Sequence, residues 1–184
     1  MRIIAGQFKG RRLATPTNDA IRPTSDRMRE AVFNLLMHGS YGGANIVGQR
    51  VADLCCGTGA LGLEALSRGA SECIFVDQDK SAMQLAKDNA LHCHAVASCQ
   101  FVLSDVTRLP VARQPVALAF MDAPYAKPIT GAAYHALRHG SWLAPDALFI
   151  VEQPKTAATE TLAQAALIDQ RDYGKARLLI YRCA

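Results

Sequence analysis

The hydrophobic and polar positions along this chain change period as it is followed from Met1. In the middle of the chain, apolar runs with almost no polar alternation recur at Arg50–Cys56, Glu72–Gln78, Cys99–Asp105, Val116–Asp122 and Ala147–Gln153. Strands of this kind are covered on both faces, as in a parallel sheet. Between them, Ala60–Gly69, Ser81–His92 and Ile129–Gly140 repeat apolar residues at helical spacing. Alternating β and α elements predict a doubly wound α/β fold. The pattern then changes: Ala166–Gly174 and Lys175–Cys183 are two strand-like runs with only a tight turn between them, which predicts an antiparallel hairpin.

The beginning of the chain follows neither rhythm. "RIIAGQFKGRRL" reads as two short strands around a turn at Gly6–Gln7, followed by a loop over Ala14–Pro23. "TSDRMREAVFNLLMH" predicts a helix capped by Thr24 or Ser25, with Asp26 in its first turn and Met28, Val32, Leu35 and Leu36 on one apolar face. "GSYGGANIVG" reads as a linker. The chain thus divides into an N-terminal hairpin-and-helix extension over 1–40 and an α/β domain over 41–184.

Composition changes this picture in two places. Half of the 184 residues are apolar, so a packed core is readily built. Charge, however, is concentrated at one end. Arg2, Lys9, Arg11, Arg12, Arg22, Arg27 and Arg29 face only Asp19, Asp26 and Glu30 before residue 31, and this difference equals the whole formal excess of +4. A basic segment on a neutral body points to a polyanionic partner, with a solvated surface as the bland alternative. The six cysteines form no CxxC pair, and Cys55, Cys73 and Cys183 lie in apolar runs, so free thiols in a reducing cytoplasm are expected. The "HCH" at His92–His94 has no partner cluster that would make it a metal site. No secretory leader is recognised and no apolar run is long enough to span a membrane.

Candidate chemistry gathers at the ends of the predicted strands. "VADLCCGTGALGLEAL" is a strand, a glycine turn and a helix, with Gly57, Gly59 and Gly62 in the order G-x-G-x-x-G. Asp77 ends the next strand about twenty residues on, where a carboxylate accepts from ribose hydroxyls. Such a turn serves NAD as well as S-adenosylmethionine (SAM). Asp53 favours SAM, because a carboxylate before the turn repels a pyrophosphate and attracts an ammonium and a sulfonium. Asp105 ends the third strand, placed to accept from an adenine amino group, and "MDAPYA" ends the fourth. At that position Asp122 and a carbonyl of Asp122 or Ala123 can each accept one N–H of a conjugated amine and turn its lone pair toward a methyl donor. Tyr125 offers a face for a base to stack on.

"DAPY" resembles the (D/N)-P-P-(Y/F) motif of methyltransferases acting on amino groups of nucleic-acid bases or glutamine side chains. "RIIAGQFKGRRLATP", "RPTSDRMREAVFNLL" and "DLCCGTGALGLEALSRGA" resemble the RsmD family, and the likeness runs through nearly the whole chain to "YGKARLLIYR". The resemblance implies a seven-stranded, Rossmann-like SAM-methyltransferase sheet. It also implies methylation of N2 of a guanine in 16S rRNA, in the helix 31 loop of the small ribosomal subunit or an assembly intermediate. A cytoplasmic monomer with no membrane partner is expected. Carried over by position, Asp122, Ala123, Pro124 and Tyr125 form the target pocket. Asp53, Cys55, Gly57, Gly59, Asp77, Gln78, Asp105 and Val106 hold SAM, and Arg2, Lys9, Arg11, Arg12, Arg22 and Arg27 meet RNA. One departure stands out: Ala123 occupies the place of the motif's first proline. Other readings are an amino methyltransferase for DNA adenine or protein glutamine, an NAD-dependent oxidoreductase, and a module that binds SAM or RNA without catalysis.

Overall fold

The structure, a computed structural model, describes residues 1–15, 26–38, 41, 46–123 and 129–184; of Arg27 and His38 it describes the backbone alone. Helix α1 spans Asp26–His38, followed by β1 (Arg50–Leu54), α2 (Ala60–Ser67), β2 (Glu72–Asp77), α3 (Lys80–His92), β3 (Cys99–Leu103) and β4 (Val116–Asp122). Then come α4 (Thr130–His139), β5 (Leu143–Pro154), β6 (Ala165–Tyr173) and β7 (Ala176–Cys183). The seven strands form one sheet in the order β3-β2-β1-β4-β5-β7-β6. Strands β1 to β5 pair in parallel, and β7 inserts antiparallel between β5 and β6. The doubly wound fold with its C-terminal antiparallel hairpin is the one the apolar pattern predicts.

The parallel strands are buried on both sides, which explains their missing alternation. On one face Val51, Phe75, Leu118, Phe120 and Ile150 pack with Phe33 of α1, Leu63 and Leu66 of α2, and Ala86 and Ala90 of α3. On the other, Leu54, Ala119, Met121 and Phe149 pack with Ala133, Tyr134 and Leu137 of α4 and with Trp142. Phe33 has no exposed surface and its ring meets Phe120 at 5.6 Å. Truncating such a side chain to alanine costs about 3–5 kcal/mol. Ile3 and Leu13 join the same cluster, so residues 1–15 share the core of the sheet domain.

The opening differs from the expected pair of strands. Only one antiparallel bridge forms, between Arg2 and Arg12. The reason lies in where the backbone donors go. Ile4 and Ala5 donate to the carboxylate of Glu64 at 2.8 and 3.1 Å, and Phe8 donates to Ser67 Oγ at 2.9 Å. Gln7 N–H donates to the Ser67 carbonyl at 2.8 Å. Helix α2 thus takes these donors, while Ile3 N–H donates to the Arg11 carbonyl and Gly10 N–H to the Ile3 carbonyl across the segment. Gly6 sits so close that an added Cβ would lie 1.8 Å from the Ser67 carbonyl oxygen. Three strands also differ in extent: β3 stops at Leu103, so Asp105 lies just past it instead of ending it. β1 stops at Leu54 because Cys55 takes a left-handed φ of 55°. β5 begins early, at Leu143, which pairs with Val116 before a register shift. The expected caps Thr24 and Ser25 lie outside the described residues.

Candidate active site at the carboxyl edge of the sheet

The turn after β1 is built from residues that tolerate left-handed backbone. Gly57 has φ 52° and Gly59 φ 75°, and Cys56 N–H donates to the Val76 carbonyl at 3.0 Å, tying the turn to β2. Gly62 is required for a different reason. A Cβ there would lie 2.4 Å from Cys73 Sγ and 2.5 Å from the Phe75 ring, so α2 could not rest on β2. Gly62 thus allows the close packing of helix on strand that follows a glycine turn of this kind.

Four carboxylates surround the turn. Asp53 is only 2% exposed, and one of its oxygens accepts from Gly62 N–H at 2.8 Å. Burial, with smaller contributions from Asp122 and Asp77, pushes its carboxyl up to about 8. Asp53 therefore lies beneath the turn and holds the first turn of α2. Asp77 is half-buried and accepts from Gly57 N–H at 3.0 Å and from Asp79 N–H at 2.9 Å. Each carboxylate oxygen has two lone pairs, so capacity remains for hydroxyl donors. Asp105 is exposed, and Thr107 N–H and Oγ1–H both donate to its Oδ1 at 2.8 Å, holding it below the usual carboxylate range. Asp122 ends β4, in register with Glu152 of β5. The Cys55 thiol feels all four acids. Burial first, then Asp77, Asp53, Asp122 and Asp105, push it up to about 12.

Strand periodicity fixes the side on which this chemistry lies. Val51, Phe120 and Ile150 face α1 and α2. Two residues further along their strands, Asp53, Asp122 and Glu152 point to the same side. Val32, Leu61, Phe120, Ile150 and Glu152 line a shallow hollow there. Val106 is buried, Gln78 is exposed and Ala123 is buried at the end of β4. Pro124, Tyr125 and Arg22 lie outside the described residues, as does the side chain of Arg27. Arg2, Lys9 and Arg12 are exposed. Arg11 is half-buried, with Nη1 donating to the His92 carbonyl at 2.7 Å and its guanidinium 5.6 Å from the Phe8 ring centroid.

The sequence did not single out four further residues. Glu64 and Ser67 anchor the N-terminal segment, as described above. Asn89, 2% exposed, bridges that segment to Thr58 of the glycine turn. Arg29 of α1 is fully buried. Its Nη2 donates to the Arg2 carbonyl and pairs with Asp26, while Nε and Nη1 have no hydrogen-bond partner among the described residues. Their common signal was a polar side chain on an otherwise apolar helix face, which demands a partner once buried.

A parallel sheet with a glycine turn after its first strand, carboxylates ending β1, β2 and β4 and another just past β3, and a final antiparallel hairpin defines the Rossmann-like methyltransferase class. The family described as conserved hypothetical protein 95 has a model that matches residues 1–182. The ribosomal RNA small subunit methyltransferase D of Haemophilus influenzae is 31% identical over 187 residues, 99% of this chain and 93% of that protein. The protein of the same name from Escherichia coli is 34% identical over 152 residues, 83% of this chain and 74% of that protein. Among solved structures, the Escherichia coli protein yhhF has a TM-score of 0.84 at 29% identity, covering 100% of this chain and 97% of its own. Hypothetical protein TTHA0928 of Thermus thermophilus has a TM-score of 0.77 at 27% identity, covering 98% of this chain and 97% of its own. The chain belongs to this family, the RsmD family of the sequence motifs.

Proposed function

We propose that the protein is an rRNA methyltransferase that uses SAM to methylate the exocyclic N2 amino group of a guanine in 16S rRNA. The helix 31 loop of the small subunit is the target the family suggests. The observation that carries this reading is the gathering of Asp77, Asp105 and Asp122 around the glycine turn, with Ala123 leaving β4 beside it. The residues fit the cofactor. Gly57 and Gly59 form the cradle, Asp77 has lone pairs for ribose hydroxyls, and Asp105 stands at the adenine end. Cys55, Gln78 and Val106 flank that path. Arg29 has two buried nitrogens with no hydrogen-bond partner among the described residues, and a guanidinium suits an amino-acid carboxylate. It reaches the Arg2 carbonyl, and the neighbouring Met1 Sδ lies 3.6 Å from Thr58 Oγ1 in the glycine turn. Bound here, SAM supplies a methyl group on a sulfonium.

The rest of the work is positioning and electrostatics. A guanine amino group is a weak nucleophile because its lone pair is delocalised into the ring. Asp122 Oδ accepts one N–H and the Ala123 carbonyl accepts the other, which draws the nitrogen toward tetrahedral geometry. The amine becomes acidic only as it is alkylated, and Asp122 then takes the proton. Ala123 precedes Pro124, so its backbone is biased to extended conformations and its carbonyl remains available as an acceptor. Tyr125 stacks on the flipped base. Arg2, Lys9, Arg11, Arg12, Arg22 and Arg27 meet phosphates. The test is Asp122→Asn. Methyl transfer to unmethylated small subunits should fall about 100-fold or more, with affinity for S-adenosylhomocysteine (SAH) unchanged. Undiminished transfer would remove Asp122 from the chemistry.

A further inference from the structure

The N-terminal segment is fastened to both helices that frame the glycine turn, and one side chain connects it to the turn itself. Asn89 Nδ2 donates to the Thr58 carbonyl at 2.9 Å and to the Ala14 carbonyl at 3.1 Å, while its Oδ1 accepts from Ala14 N–H at 2.8 Å. Both amide hydrogens and the amide oxygen are used, away from solvent. Thr58 lies between Gly57 and Gly59, both at positive φ. Glycine backbone of this kind is conformationally permissive, so its shape has to be imposed from outside. Asn89 imposes it by fixing where the Thr58 carbonyl points. Met1 adds a second contact, its sulfur lying 3.6 Å from Thr58 Oγ1.

On the other side of the clamp stand the basic residues. Arg11 and Arg12 are two to three positions from Ala14, and Arg11 reaches the His92 carbonyl at the end of the same helix that carries Asn89. Further back, Ile4, Ala5, Gln7 and Phe8 are held by Glu64 and Ser67 of α2. A ligand that orders residues 1–15 therefore orders the support of the glycine turn, and a ligand in the turn orders the segment.

We propose that Asn89 is a positioning residue that makes the N-terminal segment part of the cofactor site, so that RNA docking on the segment and SAM binding in the turn strengthen each other. This rests on the functional reading above, in which the segment meets RNA and the turn holds SAM. Coupling between two binding sites is reciprocal, and factors of about 5 to 150 are typical. Here the shared element is rigidified by either ligand, so the second to bind has less order left to impose.

The experiment measures affinity for unmethylated small ribosomal subunits with and without saturating SAH, and affinity for SAH with and without subunits. SAH avoids turnover. The native protein should bind subunits at least about 5-fold more tightly with SAH, and SAH should tighten by the same factor with subunits. Asn89→Leu, similar in size but without the hydrogen bonds, should bring the factor near one and weaken SAH several-fold on its own. Ser67→Ala loosens the segment without touching the turn and should also lower the factor, so the idea stays testable if Asn89→Leu does not fold. A native protein whose two ligands bind independently would overturn the coupling and leave the functional reading intact. So would Asn89→Leu with its coupling undiminished. Failure to bind either SAH or subunits would instead overturn the functional reading, and the coupling with it.

Discussion

Replacing Asp53 with asparagine should stabilise the protein increasingly as pH rises. The carboxyl lies beneath the glycine turn, 2% exposed, and accepts from Gly62 N–H. Desolvation pushes it up to about 8 from an ordinary value of 3.8. The sign follows from proton binding. An unfolded chain releases this proton near pH 4, whereas the native protein keeps it until near pH 8. Between those values the native state binds more protons, so stability falls as pH rises. Above pH 8 the penalty is complete. The raised value corresponds to a ceiling of about 6 kcal/mol at roughly 1.4 kcal/mol per pH unit. Asparagine keeps an oxygen for Gly62 N–H and carries no charge, so it avoids the penalty. Urea unfolding of both proteins at pH 5, 7 and 9 reads the difference. The advantage of Asp53→Asn should be smallest at pH 5 and grow by several kcal/mol at pH 9. A gap of the same size at all three values would refute the placement of a buried, proton-retaining carboxyl under the turn.

Other substitutions probe separate parts of the account. Gly62→Ala forces a Cβ to within 2.4 Å of Cys73 Sγ and 2.5 Å of Phe75; unfolding should show a loss of about 1–3 kcal/mol together with weaker SAH binding in calorimetry. Arg11→Ala with Arg12→Ala should weaken binding of small subunits and flatten the dependence of log K on log salt, as read in a filter-binding titration. Ala123→Pro restores the motif's first proline and should leave single-turnover methyl transfer within a few-fold; a rise by orders of magnitude would mean that Ala123 marks an impaired catalyst. Asp122→Asn carries the catalytic prediction made above.

How much of this was legible in the residues depends on where each hydrogen bond and contact finds its partner. The parallel strands were readable because burial on both faces removes polar residues from them, and the change to an antiparallel hairpin followed from the short turn before Lys175. The glycine turn was readable because Gly57 and Gly59 serve a local backbone need. Partners distant in sequence were not. Nothing near Ile4 or Phe8 announces that Glu64 and Ser67 will take their N–H groups, so the segment reads as two strands. Asp53 reads as an acid at a strand end, and its burial was not legible because the Gly62 N–H that donates to it belongs to a helix resting on the sheet. Asn89 sits among small apolar residues on α3, and its three hydrogen bonds appear only once the N-terminal segment is docked. The start of β5 at Leu143 likewise follows from pairing with Val116 and not from local propensity.

The central claim is that the carboxyl edge of this sheet transfers a methyl group to a guanine amino group in small-subunit rRNA. The most direct measurement incubates the protein with methyl-labelled SAM and small subunits lacking the modification, digests the RNA to nucleosides and identifies the labelled one. The account predicts N2-methylguanosine at a single position. Label in a different nucleoside, or none with SAM and subunits both bound, would contradict it.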